Sequence, residues 1–251
     1  MPVKFVIVSA PRTGSTLLAK TLNSLPGLIC HGELFLPNQV RGYRDGFDPF
    51  AATEEQRKTR SANLLQLRNT DACEFLETAL YRPEMAVGMK VIYNDLLQTR
   101  WRDALQWLLA APDLQWIHLQ RRNPLRRYVS ERIMQSGGAI HSGMGGKAKG
   151  QIQVKVDIEA FQERCDQLDA ERQRVVQTIA GRSVLDVFYE DLSADIGGTV
   201  ASVCKALGID TSPACIAPAL NKVGAEDLAL SVSNYAELLD NDLTRHWAHT
   251  S

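Results

Sequence analysis

The chain opens with an apolar run, Val3–Ser9, in which Lys4 is the only charge and which does not alternate between apolar and polar residues. A continuous run of this kind predicts a strand that is covered on both faces, as in a parallel sheet. A loop, Ala10–Thr16, follows, and the next apolar residues have helical spacing up to the stop at Pro26-Gly27. The start of the chain therefore predicts the strand, tight loop and helix of an α/β unit.

The same order recurs along the chain. Further strands are predicted at Leu28–Cys30, Ala86–Tyr93, Leu114–Gln120 and Val184–Tyr189. Further helices are predicted from Thr53, over Trp101–Ala110, after the cap Asn123-Pro124, and from about Thr199 to Leu207. Strands that alternate with helices predict an α/β fold of the P-loop type, with three layers and a central parallel β-sheet flanked by helices. We expect a single domain over residues 1–251.

The composition excludes several classes of protein. Lys and Arg number 28 against 29 Asp and Glu, so a broad basic surface for nucleic acid is not expected. The five cysteines are scattered without CxxC spacing, so neither a disulfide framework nor a metal site is expected. No stretch reaches the ~18 uncharged apolar residues of a membrane span. We expect a cytoplasmic protein, and the sequence leaves a homo-oligomer open.

The loop after the first strand has the chemistry of an anion site. A helix N-terminus presents free backbone N–H groups, Gly14 allows close approach, and Ser15 and Thr16 add hydroxyl donors. Arg12 adds a planar fork suited to phosphate or sulfate oxygens. The GxxxxGK[ST] pattern of ATP-binding loops is not met, since no Lys precedes Ser15. The alternative is a purely structural turn.

A second basic element, Arg121-Arg122-Asn123-Pro124, ends a predicted strand. Ser130 follows about two helical turns after Arg122, so both side chains can reach one phosphate. The alternative is a solvated arginine cluster. The segment Ser136–Gly150, in which six of fifteen residues are glycine, is predicted to be a loop, either a lid or a plain connection.

Three motifs in this order resemble one known family. SAPRTGSTLL near the N-terminus, RRNPLRRYVS in mid-chain and FYEDL at Phe188–Leu192 are similar to sulfotransferases that use 3′-phosphoadenosine 5′-phosphosulfate. His31-Gly32-Glu33-Leu34 and the segment Asn234–Leu238 are most similar to the bacterial carbohydrate branch, which includes trehalose and nodulation-factor sulfotransferases. The matched motifs spread over nearly the whole chain.

The resemblance implies a donor site. The loop residues Arg12, Thr13, Gly14, Ser15 and Thr16 would hold the 5′-phosphosulfate. Arg122 and Ser130 would bind the 3′-phosphate, and Tyr189 would lie near the adenine. The product would be adenosine 3′,5′-bisphosphate, and no metal is implied. The glycine-rich 3′-phosphate motif that cytosolic members carry near the C-terminus has no counterpart here.

The resemblance also implies a catalytic set. Glu33 is the candidate general base, with His31 as the rival, and Arg12 stabilises the leaving oxygen. Lys90 interrupts a strand that otherwise reads as buried, so it either contacts the transferred group or forms an ion pair. His118 is expected in the core. The acceptor would be a hydroxyl on a small molecule or glycan, and the alternatives are a P-loop kinase or NTPase and a non-catalytic nucleotide-binding protein.

Overall fold

The computed structural model describes residues 2–137, 152–217 and 227–250. Within them, five parallel strands form one sheet in the order β2-β3-β1-β4-β5. The strands are β1 Val3–Ser9, β2 Leu28–Glu33, β3 Ala86–Ile92, β4 Leu114–Gln120 and β5 Val184–Phe188. The α/β class with a central parallel sheet is confirmed.

Helices lie in every connection between these strands and follow the last strand. The helices between strands are α1 Ser15–Leu22, α2 Glu54–Thr70, α3 Ala72–Leu80, α4 Tyr93–Leu96, α5 Arg102–Ala110, α6 Pro124–Gln135 and α7 Ile158–Thr178. After β5 come α8 Tyr189–Ala194, α9 Ile196–Ala206, α10 Leu228–Ser231, α11 Tyr235–Asp240 and α12 Arg245–His249. Single 3₁₀ turns occupy Thr99–Trp101 and Pro213–Cys215.

The central strand β1 is buried on both faces, as its unbroken apolar run predicts. Val6 and Val8 belong to a core that includes residues of α3, α5 and α7. Phe5 and Ile7 belong to the opposite core, which includes residues of α1 and α9. Because successive side chains of a strand point to opposite faces, one short strand anchors both helical layers.

A third core lies around α6, where Leu125 and Val129 pack with Phe161 of α7 and with α10–α12. The C-terminal residues dock on the start of α6, because Asn123 Nδ2 donates to the carbonyls of Trp247 and Thr250, each at 2.9 Å. Trp247 and Thr250 are thereby held beside the turn that contains Arg122.

Two predicted strands end one residue early. The last paired residue of β3 is Ile92, opposite Ser9, and Tyr93 begins α4. The last paired residue of β5 is Phe188, opposite Gln120, and Tyr189 begins α8. Helix α7 was not predicted, although Phe161, Leu168 and Val175 are buried at heptad spacing. A regular alternation of strands and helices predicts one helix between β4 and β5, whereas this connection carries two.

No helix in the described part of the chain is both long and apolar enough to traverse a bilayer. Of the predicted glycine-rich loop, Ser136 and Gly137 are described and the remainder lies outside the described residues. The single domain, the cytoplasmic location and the oligomeric state stay predictions.

Candidate active site

The loop between β1 and α1 bends through two left-handed residues at the carboxyl edge of the sheet. Arg12 has φ 67° and Gly14 has φ 86°. The Thr13 hydroxyl donates to the Ala10 carbonyl at 2.9 Å and is buried, which fixes the turn. The first helical hydrogen bond runs from the Leu18 N–H to the Gly14 carbonyl. The backbone N–H groups of residues 15–17 therefore precede the helical ladder, as an anion site at a helix start requires.

An aromatic ring and a half-buried guanidinium flank this loop. A Cβ atom at Gly14 would lie 2.5 Å from Cδ2 of Tyr189, so the ring rests directly on the glycine. The Arg121 guanidinium lies 4.4 Å from the centroid of the same ring and donates to the Arg12 carbonyl at 3.2 Å. Burial lowers the Arg121 pKa to about 10, so the group keeps its charge at neutral pH. Its Nε has no hydrogen-bond partner among residues that the structure describes.

Arg12 and Ser130 meet directly. The Arg12 Nε donates to the Ser130 Oγ at 3.2 Å, and a second guanidinium nitrogen lies 3.7 Å from the sulfur of Met134. Burial lowers the pKa of Arg12, with nearby anionic groups acting in the opposite direction. The first loop and helix α6 are thus joined across the edge of the sheet by two residues predicted to bind opposite ends of one ligand.

Glu33 and Lys90 form an ion pair at the end of two adjacent strands. A bulge at Gly32 shifts the register so that Glu33, rather than Gly32, lies opposite Lys90. The Lys90 ammonium donates to the Glu33 Oε1 at 3.0 Å and to the Thr16 hydroxyl at 2.9 Å. The Glu33 side chain is 14% exposed, and its other oxygen accepts from Arg41 at 3.2 Å. One lysine therefore links the first loop to the glutamate.

Only glycine fits the bulge. A Cβ atom at Gly32 would lie 2.5 Å from the Arg41 carbonyl oxygen, because the following segment folds back onto the strand. The Gly32 N–H donates to the Gly42 carbonyl and the Arg41 N–H to the Glu33 carbonyl, at 2.9 and 3.0 Å. The returning chain fixes the backbone that carries Glu33.

Asp95 is a further carboxyl at this edge that the sequence analysis missed. It is buried in α4, immediately after β3, and its Oδ1 accepts from Gln98 at 3.3 Å. Burial, and then the charge of Glu33, raise its pKa to about 6. Its position just beyond the carboxyl end of a predicted strand was the signal that could have found it.

The two strand histidines are buried and hydrogen bonded. His31 lies with Nε2 at 2.9 Å from the Ala79 carbonyl, and its Nδ1 accepts from the Arg44 N–H at 3.0 Å. Burial lowers its pKa to about 4, so the ring is neutral and has no nitrogen left for another partner. His118 lies in the core as expected, between Tyr93 Oη at 2.6 Å and Asp186 at 3.1 Å.

Arg122 pairs with Asp191, whereas Ser130 pairs with Arg12. The Arg122 guanidinium is 47% exposed and forms a two-pronged ion pair with Asp191, at 2.6 and 2.8 Å. It also lies 4.0 Å from the centre of the Phe188 ring. The backbone N–H groups of Arg122 and Asn123 donate to Glu190, so the FYEDL segment engages this turn through two carboxylates.

The described residues contain no cluster of three His, Cys, Asp or Glu side chains that could hold a metal ion.

The fold comparison gives a solved structure, the sulfotransferase domain from the curacin biosynthetic pathway, with a TM-score of 0.56 and 14% identity, covering 100% of this chain and 92% of that one. The sulfotransferase domain of the Synechococcus PCC 7002 olefin synthase matches with a TM-score of 0.49 and 20% identity, covering 100% and 88%.

The sequence comparisons give one match and one negative result. The family model described as "Sulfotransferase family" matches residues 2–213. A search of curated proteins gives no significant match. The family match spans the first loop, Glu33, Lys90, the Arg122 turn and Tyr189, and therefore every residue predicted to form the site.

Proposed function

Because the chain belongs to the sulfotransferase family, we propose that it transfers a sulfuryl group from 3′-phosphoadenosine 5′-phosphosulfate to a hydroxyl group of an acceptor. The observation that carries this proposal is the Glu33–Lys90–Thr16 chain, which joins a carboxylate to the anion-binding loop. In this transfer the acceptor oxygen forms a bond to sulfur as the bond from sulfur to the phosphate oxygen breaks.

The donor site fits an anion with an aromatic body. Arg12, Arg121 and Lys90 bring three positive charges to the loop, and the start of α1 adds backbone N–H donors. The buried Nε of Arg121 has no partner among the described residues, and an incoming oxygen would satisfy it. The exposed edge of the Tyr189 and Gly14 pair would receive the adenine. Fixed donors of this kind stabilise charge on the leaving oxygen without reorganisation.

Glu33 is the proposed general base. It accepts the proton of the acceptor hydroxyl, while Lys90 and Arg41 hold its carboxylate in place. His31 is a poor rival, since both of its ring nitrogens are occupied by backbone groups. Lys90 lies between the base and the loop, so its ammonium group can pair with the carboxylate before the reaction and with the transferred group during it.

For the 3′-phosphate, we propose that Arg122 leaves Asp191 when the donor binds. The ion pair is exposed, so exchanging it for a doubly charged phosphate requires little energy. Ser130 is already fixed on Arg12 and would complete the subsite. For the acceptor, we propose a carbohydrate hydroxyl, because the segment after Glu33 carries Arg41, which contacts the base, and then Tyr43 and Asp45.

Ligand binding tests the donor assignment. Calorimetric titration with adenosine 3′,5′-bisphosphate should give clear binding without Mg²⁺, with a much weaker response to 5′-AMP. Arg122→Ala should weaken bisphosphate binding but leave AMP binding unchanged, whereas Asp191→Asn should tighten it by freeing Arg122. Arg132→Ala, on the exposed side of α6, is the charge-matched control. Preference for ATP with Mg²⁺ would contradict the proposal and indicate an NTPase.

Turnover tests the base. Glu33→Gln should lower kcat by about 10²–10⁴-fold, the usual contribution of general base catalysis, and should leave bisphosphate affinity within about twofold. Glu55→Gln, an exposed change on α2, is the control. Equal turnover in Glu33→Gln and the unmodified chain, measured with labelled donor against a panel of sugars and other hydroxyl compounds, would remove Glu33 from the reaction.

A further inference from the structure

A cavity of about 400 Å³ lies beside the first loop. Its lining includes Ala10 and Thr13 of the loop, together with Phe188. The neighbouring Tyr189, whose ring lies on Gly14, is not among the lining residues. The cavity volume falls at the small end of the range typical of ligand sites.

The walls of the cavity are apolar and aromatic. Helix α7 contributes Phe161, Cys165 and Leu168, and the C-terminal segment contributes Trp247. Tyr93 also lines the cavity, and its hydroxyl is hydrogen bonded to His118 Nε2 at 2.6 Å. These side chains suit a flat or branched apolar body rather than a sugar.

The polar part of the lining is strongly positive. Four arginines but a single carboxylate, Asp169, line the cavity. Arg172 lies 3.3 Å from Asp169 and is partly exposed. The excess of guanidinium over carboxylate groups favours an anion as the occupant.

Arg127 carries a buried donor that no described residue satisfies. Its side chain is 5% exposed, and Nη1 donates to Glu131 at 2.8 Å. The second terminal nitrogen, Nη2, is buried and has no hydrogen-bond partner among the residues that the structure describes. Glu131 is already shared with Arg164, at 2.8 Å, so one carboxylate serves two guanidinium groups. A buried unsatisfied donor on a positive group is unfavourable, and an oxyanion in the cavity would remove that penalty.

We propose that this cavity is a second ligand site, which binds a small organic monoanion: a carboxylate, or a sulfonate or sulfate ester, on an apolar, planar body. The oxyanion lies at Arg127 and Arg172, and the body packs against Phe161, Leu168 and Trp247. The site lies next to the donor loop, and Thr13, Arg121 and Arg122 border both. Its occupant therefore contacts Ala10 and Thr13 of the loop that is proposed to hold the sulfuryl donor.

The test uses three probes of one shape, naphthalene-2-carboxylate, naphthalene-2-sulfonate and the neutral naphthalene-2-carboxamide, titrated into the full chain by calorimetry. At least one anion should bind about tenfold or more tighter than the amide, as a charge-assisted hydrogen bond predicts. Tighter binding of the sulfonate would assign the head group to the sulfate-ester class, and tighter binding of the carboxylate to the carboxylate class. Equal affinity for the amide and both anions would overturn the proposal.

Variants locate the binding. Arg172→Gln should weaken the anion by about tenfold, whereas Arg174→Gln, the same change two residues along α7 and outside the lining, should not. Cys165→Phe, which fills the cavity without changing its charge, should abolish binding. Circular dichroism and bisphosphate affinity show whether each variant is folded, and an Arg172→Gln variant that binds the anion unchanged would contradict the proposal.

Competition separates the cavity from the donor site. A chain saturated with adenosine 3′,5′-bisphosphate should still bind the anionic probe. Loss of the probe under saturation would show that the cavity belongs to the donor site and would overturn the second site while leaving the proposed sulfuryl transfer intact. If the bisphosphate itself does not bind, the proposed function fails, and the cavity is still judged by the probe and by Arg172→Gln.

Discussion

At the scale of the residue, Gly14 combines two demands that no other amino acid meets. Its φ of 86° belongs to the left-handed region, and the Tyr189 ring occupies the place where a Cβ would lie. Gly46 has nearly the same φ, 85°, but a Cβ there would meet nothing within 4 Å. A comparison of Gly14 with Gly46 therefore separates the effect of backbone strain from the effect of contact with the Tyr189 ring.

Gly14→Ala and Gly46→Ala should therefore differ. Both should lose about 1 kcal/mol of stability, from the left-handed backbone alone. Gly14→Ala should lose more, and should weaken adenosine 3′,5′-bisphosphate by about tenfold or more because the Tyr189 ring must shift. Urea unfolding and calorimetry measure the two effects. Equal stability and equal affinity in the two variants would show that the ring contact does not matter.

His31 makes stability depend on pH. Burial lowers its folded pKa to about 4, below the unfolded value of about 6.5. The unfolded chain therefore binds the proton first as pH falls, and the stabilisation present above pH 6.5 is lost towards pH 4. Between pH 7 and pH 5 this residue should remove about 2 kcal/mol.

The measurement compares urea unfolding of the unmodified chain and His31→Gln at both pH values. The variant should be less stable at pH 7 but should show a smaller loss between pH 7 and pH 5. His118, whose pKa burial also lowers, is retained in both chains, so the difference reports His31. Parallel losses in the two chains would contradict the assignment.

At the scale of the element, helix α2 positions the chain that leaves Glu33. Arg68 of α2 is fully buried and donates to the carbonyls of Leu34, Leu36 and Gln39, at 2.8, 2.7 and 3.1 Å. Its guanidinium also stacks 4.7 Å from the Trp101 ring. Burial lowers its pKa to about 10, which leaves it charged at neutral pH. The Arg68 side chain thus supplies hydrogen-bond donors to the backbone after Glu33, where the edge strand β2 has ended.

Arg68→Met should destabilise the chain by about 2–4 kcal/mol, because three carbonyls, one of them buried, lose a charged donor that is itself buried. Arg57→Met is the control, since Arg57 also donates to two carbonyls from α2 but lies at the surface. It should change stability by no more than about 0.5 kcal/mol. The free energy of unfolding in urea is measured for both variants. A small loss in Arg68→Met would show that the hydrogen bonds from Arg68 contribute little to stability.

At the scale of the whole molecule, three cores share a few elements. The two faces of the sheet are joined through β1, and the third core is attached through α6 and α7, which also cover the carboxyl edge. The Arg127–Glu131–Arg164 ion cluster crosses between these two helices. Breaking such a buried cluster is strongly unfavourable, so the third core should not open alone.

The chain should therefore unfold in a single transition. Far-ultraviolet circular dichroism and tryptophan fluorescence should give one coincident urea midpoint. Bisphosphate at about 100 times its Kd should raise stability by about 2.7 kcal/mol without splitting the transition. Two separated midpoints would show that the α6 and α10–α12 region is an independent unit, and would contradict the single domain over residues 1–251.

The local sequence patterns were sufficient for the central strands and for the family. Val3–Ser9 and Leu114–Gln120 were predicted with the bounds that the structure has, because short segments rich in apolar residues between loops have few other solutions. For β2 the prediction covered Leu28–Cys30, and the strand runs on to Glu33. The sulfotransferase family is confirmed by the match over residues 2–213. The carbohydrate branch, the acceptor and the roles of the site residues stay predictions.

The ends of strands were harder to predict than their centres. Tyr93 and Tyr189 have the composition of strand residues, but neither has an opposite residue in the neighbouring strand. Pairing decides where a strand stops, and pairing is not local in sequence. The same reason hid Asp95, whose pKa depends on burial beside Glu33 rather than on its neighbours in the chain.

The sequence by itself determined the strand, the tight loop and the helix that open the chain, because apolar runs and helix stop signals act within a few residues. The anion site at this loop stays a prediction. Tertiary structure alone decided that Lys90 bridges Glu33 to Thr16, that Arg12 holds Ser130, and that Arg122 turns to Asp191. These partners lie between 57 and 118 residues apart in the chain. Hydrogen bonds and ion pairs over such separations depend on strand order and register, which no local pattern encodes.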